Sequence, residues 1–259
     1  MLSYQHAYHA GNLADVHKHA LLAQALDYLT QKNKPLTYLE THAGRGLYDL
    51  TSAEAQKTGE AAQGISFVSQ WFGKDHPYTR ALHAIREKRG PNAYPGSPLI
   101  AQTLLRESDR LHLAELHPQE HAALEFTMSA AGNAKVYQQD GFALAQSLCP
   151  PDPRRGLILI DPSWELKEDY ARMPRFVDTL AKKWNVGIVM IWYPILTEPQ
   201  HKPMIAAIRQ SQSEALIHEV TFPPARKGHR MVGSGMVVLN PPWGLADHAQ
   251  ALTKRFKSL

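Results

Sequence analysis

The stretch Leu36-Thr37-Tyr38-Leu39-Glu40-Thr41-His42-Ala43-Gly44-Arg45-Gly46 constrains the fold of this chain more than any other. It reads as a short buried strand, Leu36 to Glu40, running directly into a loop of small residues. Pro35 marks the start of the strand. Gly44 and Gly46 let the backbone turn sharply and approach a ligand with no Cβ in the way. A strand feeding a glycine loop is the way α/β sheets hold nucleotide-like cofactors at the carboxyl ends of their strands. The loop lacks the Gly-Lys-Ser/Thr of a phosphate-binding loop and is not a clean GxGxxG. The order of later strand ends strengthens the reading: Glu115, then Asp140-Gly141, then Asp161-Pro162.

A chain of 259 residues, 44% hydrophobic and 20% charged, is long enough for one large α/β domain with a smaller insertion. The net charge of +4 permits nucleic-acid binding without requiring it. The single cysteine, Cys149, excludes an internal disulfide and fits a reducing compartment. His, Asp and Lys near the start leave no signal-peptide core. The longest apolar run, Gly187 to Leu196, is too short to span a bilayer. A soluble, cytoplasmic protein is expected.

Residues 1–19 gather Tyr4, His6, Tyr8, His9, Asn12, Asp15, His17, Lys18 and His19 ahead of a helix predicted over Leu13 to Gln31. Leu21, Leu22, Ala25, Leu26 and Leu29 form its apolar face. The histidines suit either a metal site from His6, His9, His17 and His19 or a polar segment folded over a cofactor pocket. In the second case Lys18 and His19 could donate to a carboxylate. No familiar zinc pattern is complete, so no metal is expected. In nucleotide-binding α/β units an acid follows the glycine loop by about 20 residues; Glu115 lies far beyond that, which implies an insertion of roughly 50 residues. Residues 47–93 fit it, leaving 1–46 and 94–259 as the main domain. Within it, Thr79 to Arg89 is a basic helix carrying Arg80, Arg86, Lys88 and Arg89. It reads equally as a solvated face or as a substrate arm.

The main domain resumes at Tyr94-Pro95-Gly96-Ser97-Pro98. Ser97 and Pro98 suit the N-cap and first turn of a helix to about Glu107, whose N-terminus favours an anion. Arg110 to Leu116 is the second strand; Glu115 at its end can accept from both hydroxyls of a ribose. Ala134 to Gln138 is the third, ending at Asp140-Gly141, where an acid can receive an adenine amino group. Leu157 to Ile160 is a buried strand that stops at Asp161-Pro162-Ser163-Trp164. Gly187 to Trp192, ending at Tyr193-Pro194, then Glu214 to Thr221 and Met236 to Leu239 complete the sheet.

An Asp-Pro at a parallel strand end, followed by an aromatic, suits methylation of an exocyclic amine. The lone pair of such a nitrogen is delocalised into its ring. An Asp161 oxygen and the Pro162 carbonyl can each accept one N–H, which aims the lone pair at a sulfonium methyl. Trp164 would stack on the unpaired base.

The motifs together resemble the bacterial ribosomal RNA large subunit methyltransferase J family. They are Met1-Leu2-Ser3-Tyr4; His9-Ala10-Gly11-Asn12 with Asp15 and Lys18-His19; Thr41-His42-Ala43-Gly44; Tyr94 to Ala101; Glu115-Leu116-His117-Pro118; Asp140-Gly141-Phe142; Arg154 to Pro162; and Gly235 to Trp243. The resemblance covers nearly the whole chain. It implies a Rossmann-like class I S-adenosylmethionine-dependent methyltransferase with a small helical insertion, acting on N6 of an adenine in 23S rRNA. It further implies cofactor contacts at Lys18, His19, His42, Ser97, Glu115, Asp140, Gly141 and Asp161, catalysis at Asp161 with Pro162 and Trp164, and an active-site wall from Tyr4 and His6. The expected partner is 23S rRNA outside the assembled ribosome, with no membrane, and the expected state is a monomer. The family's usual run is Asp-Pro-Pro-Tyr; Ser163 in this chain frees φ and fixes the Pro162 carbonyl less rigidly.

Asn240-Pro241-Pro242-Trp243 matches that run more closely but reads as a structural strand end, because too little chain follows it for the strands that succeed a catalytic loop. Arg226, Lys227, His229 and Arg230, with Lys254, Arg255 and Lys257, are candidate phosphate contacts. The alternatives are a DNA adenine-N6 methyltransferase, a non-catalytic nucleic-acid-binding protein involved in use of external DNA, and, more distantly, a metal-dependent hydrolase.

Overall fold

The computed structural model describes residues 4–226 and 228–259; Met1 to Ser3, and Lys227 of the candidate phosphate contacts, lie outside the described residues. Among the described residues nine strands form in chain order: β1 (Thr37–Glu40), β2 (Leu47–Asp49), β3 (Ala93–Pro95), β4 (Arg110–Ala114), β5 (Ala134–Tyr137), β6 (Gly156–Ile160), β7 (Ile188–Leu196), β8 (Leu216–Thr221) and β9 (Met231–Leu239). Seven make one sheet in the order β5-β4-β1-β6-β7-β9-β8. The first five of these are parallel to one another, and β9 runs antiparallel to both β7 and β8.

Strand alternation divides the core in two. Tyr38, Leu157, Leu159, Met190 and Val238 point to one side, packed with Leu21, Leu22 and Leu26 of the helix Leu13–Thr30. Leu39, Ile158, Ile160, Val189 and Ile191 point to the other, against Phe176 and Leu180 of Lys167–Lys183 and Ile208 of His201–Ser211. Both faces of the parallel strands are covered, which is why they read as continuous apolar runs. The result is the α/β architecture that the class I methyltransferase resemblance implies. No helix among the described residues is long and apolar enough to cross a membrane.

Several boundaries differ from the sequence expectation. The helix Leu13–Thr30 is buried almost all round, not along one stripe, because Pro77–Arg89, Ser97–Leu104 and Leu245–Phe256 pack on its outer side. The helix at Ser97 is capped by Gly96, so Ser97 is its first residue and not its N-cap. Strand β7 continues past Tyr193-Pro194 to Leu196, since β9 pairs with it from Val189 to Leu196 and Pro194 sits opposite Ser234. Residues 47–93 are bracketed by an antiparallel ribbon of β2 and β3, with Leu47 opposite Pro95. The helix Pro77–Arg89 inside that bracket buries Tyr78, Ala81, Leu82 and Ile85 in the same core as the helix Leu13–Thr30. Its Arg80 pairs with Asp27, and the Arg86 guanidinium donates to the Ala93 carbonyl at 3.4 Å.

Candidate active site

Parallel pairing places the carboxyl ends of β1, β4, β5 and β6 on one edge, so Glu40, Glu115, Asp140 and Asp161 share that edge. Asp161 follows β6 with its side chain 13% exposed, and its Oδ2 accepts from Lys18 Nζ at 2.6 Å. Lys18 also reaches Asp15 Oδ1 at 3.0 Å. Asp15 Oδ2 lies 2.8 Å from His6 Nε2 and accepts the Gly11 N–H at 2.9 Å. His6 Nδ1 lies 2.9 Å from the Tyr4 hydroxyl. An unbroken hydrogen-bonded chain therefore runs Tyr4–His6–Asp15–Lys18–Asp161. Burial opposes charge on Lys18, but the Asp161 and Asp15 carboxylates outweigh it and hold the ammonium above its ordinary range. Burial likewise opposes ionisation of Asp15, yet His6, Lys18 and His19 bring its carboxyl well below the usual range. Tyr4 is 36% exposed and stacks on His9, with ring centroids 5.7 Å apart.

The cofactor side is built from β1 outward. Gly44, at φ +60°, donates its N–H to Glu115 Oε2 at 2.8 Å, and the His117 N–H donates to Oε1 at 2.8 Å. Burial raises the Glu115 carboxyl from its ordinary value. Asp140 caps the helix Gly141–Leu148 by accepting the Ala143 N–H at 2.8 Å. Gly141 lies so close to the turn after β1 that a Cβ there would meet the Thr41 carbonyl oxygen at 1.8 Å. His42 bonds Thr41 Oγ1 through Nδ1 at 2.8 Å and meets Phe142 edge-on; burial is the main cause that brings it down to about 4. A glycine turn, a strand-end acid and a helix cap approached by backbone form a cradle suited to a nucleoside.

Two of the expected cofactor contacts are buried and engaged by protein groups. His19 is buried, with Nδ1 2.9 Å from the Tyr94 hydroxyl and Nε2 3.9 Å from Asp15 Oδ1, without a hydrogen bond among the described residues. The Ser97 hydroxyl donates to Glu40. Trp164 corrects a firmer expectation. It adopts φ +57°, which turns its ring into the core; it is 5% exposed, packs on Tyr170, and donates its indole N–H to the Trp192 carbonyl at 3.0 Å. The ring offers no open face to a base. Pro162 is buried beside it.

The sequence reading passed over Glu40 as a strand end. It is buried, accepts from the Tyr38 hydroxyl at 2.8 Å and from Ser97, and burial pushes it up to about 8. Its signal was available: an acid inside an otherwise apolar strand, directly before the glycine loop. Among the described residues no group of three or more His, Cys, Asp and Glu side chains could hold a metal; His6, His9, His17 and His19 each turn to a different partner. Asn240 ends β9 at the opposite edge of the sheet, where its amide donates to the carbonyls of Asn185 and Gly187 at 3.1 and 2.8 Å. Arg226 and Arg230 are exposed on the loop before β9. That loop is tied down where Gln63 donates to the Ala225 carbonyl and Thr197 N–H to the Arg230 carbonyl.

Residues 33–258 match a family model described as Ribosomal RNA large subunit methyltransferase D, RlmJ. The Ribosomal RNA large subunit methyltransferase J of Escherichia coli K12 is 40% identical over 251 residues, covering 95% of this chain and 89% of that protein. Its namesake in Haemophilus influenzae is 40% identical over 252 residues, with the same coverage. The crystal structure of protein LPL1258 from Legionella pneumophila superposes with a TM-score of 0.87 at 33% identity, covering 96% of this chain and 93% of that one. Fold, motif order and these likenesses agree: the chain belongs to the ribosomal RNA large subunit methyltransferase J family, whose members are S-adenosylmethionine-dependent methyltransferases.

Proposed function

We propose that the protein transfers a methyl group from S-adenosylmethionine to N6 of an adenine in 23S rRNA. The observation that carries this is the Asp161 carboxylate at the end of β6. Lys18 donates to its Oδ2, and among the described residues no protein donor bonds Oδ1. Oδ1 and the Pro162 carbonyl each accept one N–H of the adenine amine and orient its lone pair. The cofactor supplies a methyl on a positively charged sulfur. Glu115 would hold its ribose hydroxyls and the Asp140-Gly141 turn its adenine, with Lys18, His19, His42 and Ser97 in the surrounding wall. Tyr4 and His6 wall the adenine pocket; Trp164 fixes the loop instead of stacking on the base. We take the methyltransferase domain as 1–46 and 94–259 and residues 47–93 as its insertion. The enzyme works as a monomer in the cytoplasm on 23S rRNA outside the assembled ribosome.

Transfer of labelled methyl to protein-free 23S rRNA tests the reading. The wild type yields N6-methyladenine, and Asp161→Ala loses about 10²- to 10³-fold in rate while still binding the cofactor. Normal turnover by the variant would remove Asp161 from the mechanism, and label on DNA alone would reassign the substrate.

A further inference from the structure

Trp192 stands beside Asp161 in the sheet. Ile160 of β6 pairs with Ile191 of β7, so the residues that follow are neighbours. Three contacts converge on it. The Lys18 ammonium lies over its ring, 5.6 Å from the centroid. Its carbonyl accepts the Trp164 indole N–H at 3.0 Å. Its own indole N–H donates to Ser234 Oγ at 2.9 Å.

From Ser234 a buried chain of side chains leads to the helix Leu245–Phe256. Ser234 Oγ lies 2.8 Å from His17 Nδ1, His17 Nε2 lies 2.8 Å from His218 Nδ1, and His218 Nε2 lies 2.7 Å from Thr253 Oγ1. One direction of donation satisfies every member. The Thr253 hydroxyl donates to the Ala249 carbonyl at 3.3 Å, so Thr253 accepts from His218 Nε2–H. His218 Nδ1 then accepts from His17 Nε2–H, and His17 Nδ1 accepts from the Ser234 hydroxyl. Both imidazoles are neutral in this arrangement, in keeping with the burial that lowers each of them. A buried donor without a partner is costly, so the completed chain admits one orientation of the Trp192 indole.

We propose that Trp192 is a positioning residue for methyl transfer: its indole, anchored through Ser234, His17, His218 and Thr253, fixes by its ring the Lys18 ammonium that holds Asp161, while its main-chain carbonyl, set by the sheet, ties down the Trp164 indole. The inference rests on the reading of Asp161 given above. A cation over an indole face is attracted to it, and small misplacements of reacting groups are expensive in rate.

The test uses the full chain, S-adenosylmethionine and protein-free 23S rRNA. Trp192→Leu removes the ring and the indole N–H together; kcat falls about 10- to 100-fold while KM for RNA and for cofactor stays at the wild-type value. Trp192→Phe returns a ring to Lys18 and recovers most of that loss. Ser234→Ala leaves the ring but releases the indole, and its kcat lies between. Thermal melting shows whether each variant is folded; if Trp192→Leu is not, Ser234→Ala and Trp192→Phe decide, each with kcat lowered and KM unmoved. Wild-type kcat in the folded variants overturns the proposal, and so does a loss confined to KM for RNA, which would make Trp192 a base contact. Asp161→Asn runs alongside. If it is fully active, the Asp161 reading and this inference fall together; if it is inactive while the Trp192 and Ser234 variants turn over normally, the positioning role alone falls.

Discussion

Lys18 bridges the buried Asp15 and the partly buried Asp161, and its loss would leave the Asp161 carboxylate without its ion-pair partner. Breaking such a buried arrangement costs about 3–5 kcal/mol. Lys18→Met therefore lowers the unfolding free energy by about that amount in denaturant titration. Adding Asp15→Asn recovers part of the loss, a non-additivity that an unrelated pair would not give. Glu40 sets a different dependence. Its carboxyl rises from 4.5 to about 8, chiefly through burial, so folding favours the protonated form. That stabilisation is complete below pH 4.5 and is lost as pH rises through 8. Glu40→Gln is accordingly more stable than the wild type by a few kcal/mol near pH 8 and little different near pH 4, as urea midpoints at the two pH values will show. His19 works in the opposite sense. Burial lowers it from 6.5 to about 3, so its contribution is whole above pH 6.5 and falls as pH drops towards 3. Taken together, these two groups contribute most between pH 4.5 and 6.5.

At the scale of elements, the strands of the sheet were legible because burial on both faces writes them as apolar runs, and the helix at Leu13 because Leu21, Leu22, Ala25, Leu26 and Leu29 recur at helical spacing. The β2–β3 ribbon was not: three residues a side carry no periodicity, and only the pairing of distant segments defines it. Trp164 was misread because its direction depends on a left-handed backbone at a non-glycine residue, which composition does not announce. Gly141 makes the opposite point, since its need is visible only in space. Gly141→Ala would drive a methyl into the Thr41 carbonyl and push the helix away from the turn. We expect a loss of about 1–3 kcal/mol in thermal unfolding, with cofactor affinity weakened in calorimetric titration.

For the whole molecule, the strand-end acids Glu115, Asp140 and Asp161 could be anticipated because parallel topology carries every strand's carboxyl end to one edge. The bond from Lys18 to Asp161 could not, since it joins residues 143 apart and depends on how the first helix lies across the sheet. Arg226 and Arg230 stand exposed on the loop before β9. If they meet RNA phosphates, each change to Ala lowers the slope of log affinity against log salt by about one contact's worth, roughly 0.7 for single strands. Filter binding over a salt series measures it, and an unchanged slope removes that loop from the RNA interface. The insertion of β9 between β7 and β8 has a consequence for biosynthesis. Two strands that are consecutive in the chain emerge without being able to pair with each other, because the slot between them belongs to a strand made later. Until β9 arrives, nine residues of β7 present an unfilled hydrogen-bonding edge, open to any other extended chain. Translation stalled before residue 231 would therefore release a sticky, inactive product, and the interval between β7 and β9 is where this chain most needs a chaperone.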